Sequence, residues 1–214
     1  MNEESTTTAR VVSILALLVI SVGAYFYMTT PSAAKKKYVE KKQVTQVDIG
    51  GEFELTNLDG KSENTKTYEG KYRLVYFGFT YCPDICPSAL NIMSHSLDIL
   101  DKYGADIVPI FVTIDPSRDT PEVLKPYLQH FNKKIIGYTG SEIEIKKVAD
   151  QFKVFYAKVP RPEHTEKDYL LDHSSFFYFL DKNGNYIQHF ASTTSPEEIA
   201  NSIFKEIRLR AEKG

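Results

Sequence analysis

The sequence predicts an α/β domain, a mixed sheet flanked by helices, carried behind one N-terminal transmembrane helix. Three observations predict it. Two continuous apolar runs, Arg73–Phe79 (RLVYFGF) and Ile107–Ile114, have the composition of strands buried on both faces. Between them Leu90, Met93, Leu97 and Leu100 recur at the spacing of one helical face, with Gly104 as the stop. At the amino end, Val11–Met28 carries no charge and is long enough, at about 1.5 Å per residue, to cross hydrocarbon as a helix. The 214 residues suffice for one domain with its own core, so a disulfide scaffold is unnecessary.

The N-terminal run competes with a cleaved signal peptide, for which Ser32-Ala33-Ala34 offers a small-residue cleavage site, but a signal's apolar region is usually shorter. Its flanks pull the other way. Lys35, Lys36, Lys37, Lys41 and Lys42 follow the span, while Arg10 precedes it and is offset by Glu3 and Glu4. The positive-inside rule would keep the domain in the cytosol, though that rule weakens for long translocated domains. The organisation expected is a tail at 1–10, a transmembrane helix at 11–29, a basic tether at 30–45 and a folded domain at 46–214.

Within the domain, Phe53–Asn57 alternates and Asp59-Gly60 supplies a turn, so a small hairpin comes first. The strand at 73–79, the helix after it and the strand at 107–114 follow. A helix from Pro121 to about Phe131 starts from Asp119 or Thr120 as N-cap, with Pro at its first turn. Ile135–Tyr138 is a short strand, and Ser141–Phe152 a helix whose Ser141 and Glu144 have capping-box spacing. Ser174–Leu180 (SSFFYFL) is a third buried strand, Asp181–Gly184 turns the chain, and Tyr186–Phe190 pairs back. Ser195-Pro196 opens a closing helix that reaches about Arg210.

This order is that of a thioredoxin-like fold. The crossover from 73–79 to 107–114 is right-handed, so the two strands are parallel and their carboxyl ends share an edge. An antiparallel 174–180 strand brings its amino end to that edge. Cys82, Cys86, Asp115 and His173 therefore converge there.

Cys82 and Cys86, in TYCPDICP, are the only cysteines. Pro87 after Cys86 suggests that Cys86 is the helix N-cap or its neighbour, where free N–H groups and the helix dipole favour a thiolate. Three residues separate the thiols, against two in the thioredoxin redox motif, and this spacing alone does not separate redox chemistry from metal binding. Adding His173 makes a soft, low-coordinate set suited to Cu(I), with the imidazole making Cu(II) tolerable. Zinc wants a fourth ligand or an open water position, and there is no third cysteine.

The remaining candidates read as structure. His95 lies on the helix about two turns beyond Cys86, His130 near a helix C-terminus, His164 in the polar loop 161–168 and His189 on the outer hairpin strand. Met93 is core, and Asp84 ends a turn. Asp115, Arg118 and Asp119, in DPSRDTPE, either tune the site from behind or form a capped turn with an ion pair. A net charge of −2, with no face of gathered Lys or Arg, excludes nucleic-acid binding.

The motifs GFTYCPDICP, IDPSRDTPE, IIGYTG and DYLLDHSSFFYFLDKNG, in that order behind one span, resemble the Sco/SenC family of copper chaperones for cytochrome c oxidase assembly. The resemblance covers roughly Val47 to Ile207. It implies a thioredoxin-like domain that binds one copper through Cys82, Cys86 and His173 and delivers it to the dinuclear copper A centre of oxidase subunit II. It also implies anchorage in a bacterial inner membrane with the domain in the periplasm, or in a mitochondrial inner membrane with the domain in the intermembrane space. Two functions of different class follow: metal transfer with no substrate turned over, or a thiol–disulfide oxidoreductase that reduces partner cysteines using Cys82 and Cys86 as its redox pair. His173 favours the first, since a dithiol reductase does not need it. A homodimer is left open by the sequence.

Overall fold

The computed structural model describes residues 17–26, 28, 49–160 and 169–212. The chain divides into two compact units, Met1–Val47 and Asp48–Gly214. In the first, residues 17–26 are helical and exposed. Residues 11–16, 27 and 29 of the expected span, with the whole of the expected tail and tether, lie outside the described residues. Among the described residues no helix is long and apolar enough to cross a membrane.

The second unit opens with the expected hairpin, β1 (Glu54–Asn57) and β2 (Ser62–Asn64). Its turn forms because Asn57 Oδ1 accepts the N–H groups of Asp59 and Lys61, while Gly60 takes φ +73°. Then come β3 (Tyr72–Gly78), α1 (Ile85–Lys102), β4 (Ile107–Thr113), α2 (Pro121–Leu128), β5 (Ile136–Thr139) and α3 (Glu142–Gln151). The chain closes with β6 (Tyr156–Pro160), β7 (Tyr169–His173), β8 (Phe176–Leu180), β9 (Tyr186–Ala191) and α4 (Pro196–Ala211).

Seven strands form one mixed sheet in the order β2-β1-β5-β4-β3-β8-β9. β3, β4 and β5 are parallel; β8 runs antiparallel to β3, as expected. Leu74 to Phe77 and Ile110 to Val112 are at or near zero exposure in the middle of this sheet. Each large apolar side chain buried there contributes about 1.5–3 kcal/mol. Leu90, Met93, Leu97 and Leu100 of α1 are equally buried, and Tyr103 beyond α1 stacks on Phe204 of α4 at 4.8 Å between ring centres.

Three elements differ from expectation, the first and last of them at the site. Helix α1 begins at Ile85 with Asp84 as its N-cap, so Cys86 is the second helical residue and not the cap. Pro87 is still accommodated, because the first four N–H groups of a helix have no partner within it. Helix α2 stops at Leu128, and turn bonds from His130 to Tyr127 and from Phe131 to Leu128 take over. Finally, β6 and β7 form a separate two-stranded antiparallel ribbon, with Tyr156 opposite His173, where no strand was expected. Its sequence hides it: Lys158 and Pro160 interrupt β6.

Candidate metal centre

Strands β3 and β4 end together, Gly78 opposite Thr113, and β8 reaches the same edge with Phe177 opposite Tyr76. The cysteine loop leaves β3 there, and Asp115 follows β4. His173 arrives as well, although from the end of β7 and not as the first residue before a long β8; Ser174 and Ser175 make the link. The expected convergence is met through a different strand.

Helix α1 starts without a side-chain cap from Asp84. Its second N–H, on Cys86, donates instead to Cys82 Sγ at 3.4 Å. The Cys82 sulfur thus does what an N-cap oxygen normally does. This corrects the expectation that Cys86 is the sulfur favoured as thiolate. The Cys82 thiol is pushed well below the ordinary range by the hydrogen bond from the Cys86 thiol, against the opposing effect of burial, with His173 and the N–H groups of Cys86 and Asp84 adding to it. The Cys86 thiol moves the other way, because Cys82 is its hydrogen-bond partner and it is fully buried. Cys82 is therefore the first of the pair to ionise.

Cys86 Sγ lies 3.6 Å from His173 Nε2. The other ring nitrogen, Nδ1, is 3.1 Å from the Ser174 carbonyl, to which it donates in the neutral tautomer, leaving the Nε2 lone pair facing the sulfur. Tyr76 and Phe79 meet the imidazole ring edge-on at 6.4 and 5.9 Å. The Tyr76 hydroxyl donates to Cys86 Sγ at 3.8 Å, and burial pushes that phenol far above its ordinary range. Gly78 lies against the same sulfur: a Cβ there would stand 3.0 Å from Cys86 Sγ. Both cysteines are free thiols.

Two ligands at about 2.0 and 2.3 Å from one ion, at angles between tetrahedral and trigonal, stand about 3.5–3.7 Å apart. The Cys86–His173 pair has that spacing. Among the described residues no group of three or more His, Cys, Asp or Glu side chains is already assembled to hold a metal ion. Cys82 Sγ takes the Cys86 N–H at the start of α1 as well as interacting with the Cys86 thiol and His173.

Asp115, Arg118 and Asp119 hold the segments that carry the three residues. Asp119, with no exposure, accepts from the Thr80 N–H at 3.0 Å, the Thr80 hydroxyl at 2.5 Å and the Thr113 hydroxyl at 2.6 Å. Burial still raises its pKa, outweighing those donors. Arg118 Nε donates to Asp115 Oδ2 at 2.5 Å, and the Tyr169 hydroxyl donates to Asp115 Oδ1 at 2.6 Å. Asp119 thus fastens the cysteine loop and Asp115 fastens β7. Thr80, Thr113, Tyr169, Ser174, Tyr76 and Gly78 were not found by sequence reasoning. Only the two threonines at strand ends beside DPSRD left a signal, as partners for a buried carboxylate.

The other candidates stay apart. His95 and His130 are exposed, Met93 is core, and Asp84 is exposed. His189 packs among Phe176, Tyr178 and Tyr186 on the outer strands. His164 lies outside the described residues.

Fold and site together define a thioredoxin-like dithiol protein with an imidazole facing one of its thiols. The SCO1/SenC family model matches residues 41–208, and the chain belongs to that family. It is 46% identical over 192 residues to an SCO2-like protein of Rickettsia felis, covering 89% of this chain and 93% of that protein. The crystal structure of Arabidopsis thaliana ScoI with copper bound is 38% identical, with a TM-score of 0.71 over 75% of this chain and 99% of its own. The structure in which a disulfide switch was identified in BsSco, a member of the Sco family of cytochrome c oxidase assembly proteins, is 26% identical, with a TM-score of 0.59 over 76% of this chain and 93% of its own.

Proposed function

We propose that this protein is a membrane-anchored copper chaperone for cytochrome c oxidase assembly. It holds one copper, as Cu(I), through Cys82, Cys86 and His173 and passes it to the copper A site of oxidase subunit II. The observation that carries the reading is the 3.6 Å spacing of Cys86 Sγ and His173 Nε2, with Nδ1 occupied by the Ser174 carbonyl. Cys82 completes the set by turning its sulfur from the Cys86 N–H toward the ion. Thiolates and imidazole suit Cu(I), and the copper-bound Arabidopsis relative supports copper over other soft ions. Release follows by exchange of ligands with the partner's own thiols and imidazoles.

The anchor in this reading is the 11–29 segment, with 30–45 as tether and 46–214 as the copper-binding domain. The domain faces the periplasm or, in an organelle, the intermembrane space. A reporter fused after Gly214 is expected to be active outside the cytosol; cytosolic activity would contradict this topology.

A thiol–disulfide role is the second reading, favoured by the easily ionised Cys82 beside Cys86 and by the disulfide switch identified in BsSco. In cells lacking their own protein of this kind, His173→Ala is expected to leave oxidase short of copper while retaining dithiol exchange in vitro. Cys82→Ser and Cys86→Ser are expected to lose both. Full oxidase assembly with His173→Ala, without added copper, would hand the function to the reductase reading.

A further inference from the structure

His173 is carried on the β6–β7 ribbon, which among the described residues pairs with no strand of the seven-stranded sheet. An isolated two-stranded ribbon is marginal by itself, so the position of its histidine depends on what ties it down. One tie is at Tyr169, the first residue of β7. The Arg118 guanidinium lies 3.7 Å over the Tyr169 ring, and its Nη1 donates to the Tyr169 carbonyl at 2.9 Å. The hydroxyl of Tyr169 returns to Asp115 at 2.6 Å, the carboxylate that also takes Arg118 Nε. Ser117 Oγ bridges the two, 3.0 Å from Asp115 and 2.9 Å from the Tyr169 hydroxyl. Tyr169 is thus held by its ring, its carbonyl and its hydroxyl. Arg118 also lies 4.7 Å over the ring of Tyr81, the residue before Cys82.

We propose that Arg118 is a positioning residue for copper binding: clamped to Asp115 and Tyr169, it sets where β7 lies and hence how close His173 comes to Cys86. The proposal rests on the copper reading above. It needs a planar cation that stacks and donates in several directions at once, which Lys does not provide. Asp119 holds the cysteine loop separately, through Thr80. Arg118 touches that loop at the Tyr81 ring, but its hydrogen bonds and its closer stack go to Asp115 and Tyr169, so loss of the clamp acts chiefly on the histidine side of the site.

The test is a double-mutant cycle on the full chain in detergent, reading Cu(I) affinity by competition with a chromophoric chelator for wild type, Arg118→Lys, His173→Ala and the double variant. Groups that orient metal ligands typically change affinity by about 10- to 100-fold, and Arg118→Lys is expected to weaken binding within that range. With His173 already replaced, Arg118→Lys is expected to add no more than about a twofold change, the limit of ordinary additivity error. Wild-type affinity in Arg118→Lys, or an equal loss whether or not His173 is present, would overturn the positioning role. Wild-type affinity in His173→Ala would instead overturn the ligand assignment, and the proposal with it. If Arg118→Lys does not fold, Tyr169→Phe, which removes only the hydroxyl, takes its place in the same cycle with the same expected pattern.

Discussion

Thr80 donates its backbone N–H and its hydroxyl to the two carboxylate oxygens of Asp119, at 3.0 and 2.5 Å, two residues before the first thiol. Thr113, at the end of the neighbouring strand, donates a third bond to the same group. The cysteine loop is therefore pinned to β4 by one buried carboxylate that only accepts.

Asp119→Ala removes both accepting oxygens and leaves the Thr80 N–H and the Thr80 and Thr113 hydroxyls without that partner. A buried polar group left unsatisfied in this way costs about 1–3 kcal/mol. The urea midpoint is expected to fall accordingly with an unchanged slope. An unchanged midpoint would show that these hydrogen bonds do not hold the loop.

Gly78→Ala tests the packing behind Cys86. The added Cβ would stand 3.0 Å from Cys86 Sγ and from ring carbons of Phe111 and Tyr76. Overpacking of this kind costs about 1–3 kcal/mol, and here the displaced atom is a proposed ligand. Copper affinity is expected to fall together with the thermal midpoint. Wild-type copper affinity in a destabilised Gly78→Ala protein would separate the sulfur's position from the packing behind it.

The strands of the main sheet were legible because RLVYFGF and the 107–114 run are buried on both faces and the crossover between them admits one hand. That logic also brought Cys82, Cys86, Asp115 and His173 to one edge. What stayed hidden depends on contacts between distant segments. The β6–β7 ribbon has no clean alternation, since Lys158 and Pro160 interrupt it, and Tyr169 is set by an arginine 51 residues away in sequence. Likewise the choice of Cys82 as the ionised thiol turns on a helix start two residues earlier than Pro87 suggested.

Glu63 gives the hairpin end a pH signature. Its carboxylate accepts from Tyr68 at 2.6 Å, Asn57 at 2.7 Å and Tyr138 at 3.0 Å, and the Tyr68 bond above all holds its pKa below the usual value. A depressed folded-state pKa contributes stability that is complete above the unfolded pKa and lost as pH falls through the folded one. The stability difference between wild type and Glu63→Gln is therefore expected to be constant at neutral pH and to shrink as pH drops below about 4.3, the ordinary glutamate value. A difference independent of pH down to the acid transition would contradict the assignment.

The central claim is that Cys82, Cys86 and His173 are the ligands of one copper ion, and X-ray absorption on the reduced full-length chain loaded with Cu(I) tests it most directly. The expected result is one copper per chain with two sulfur neighbours and one nitrogen neighbour, the nitrogen vanishing in His173→Ala. A copper surrounded only by oxygen and nitrogen, or a spectrum that His173→Ala leaves unchanged, would contradict it.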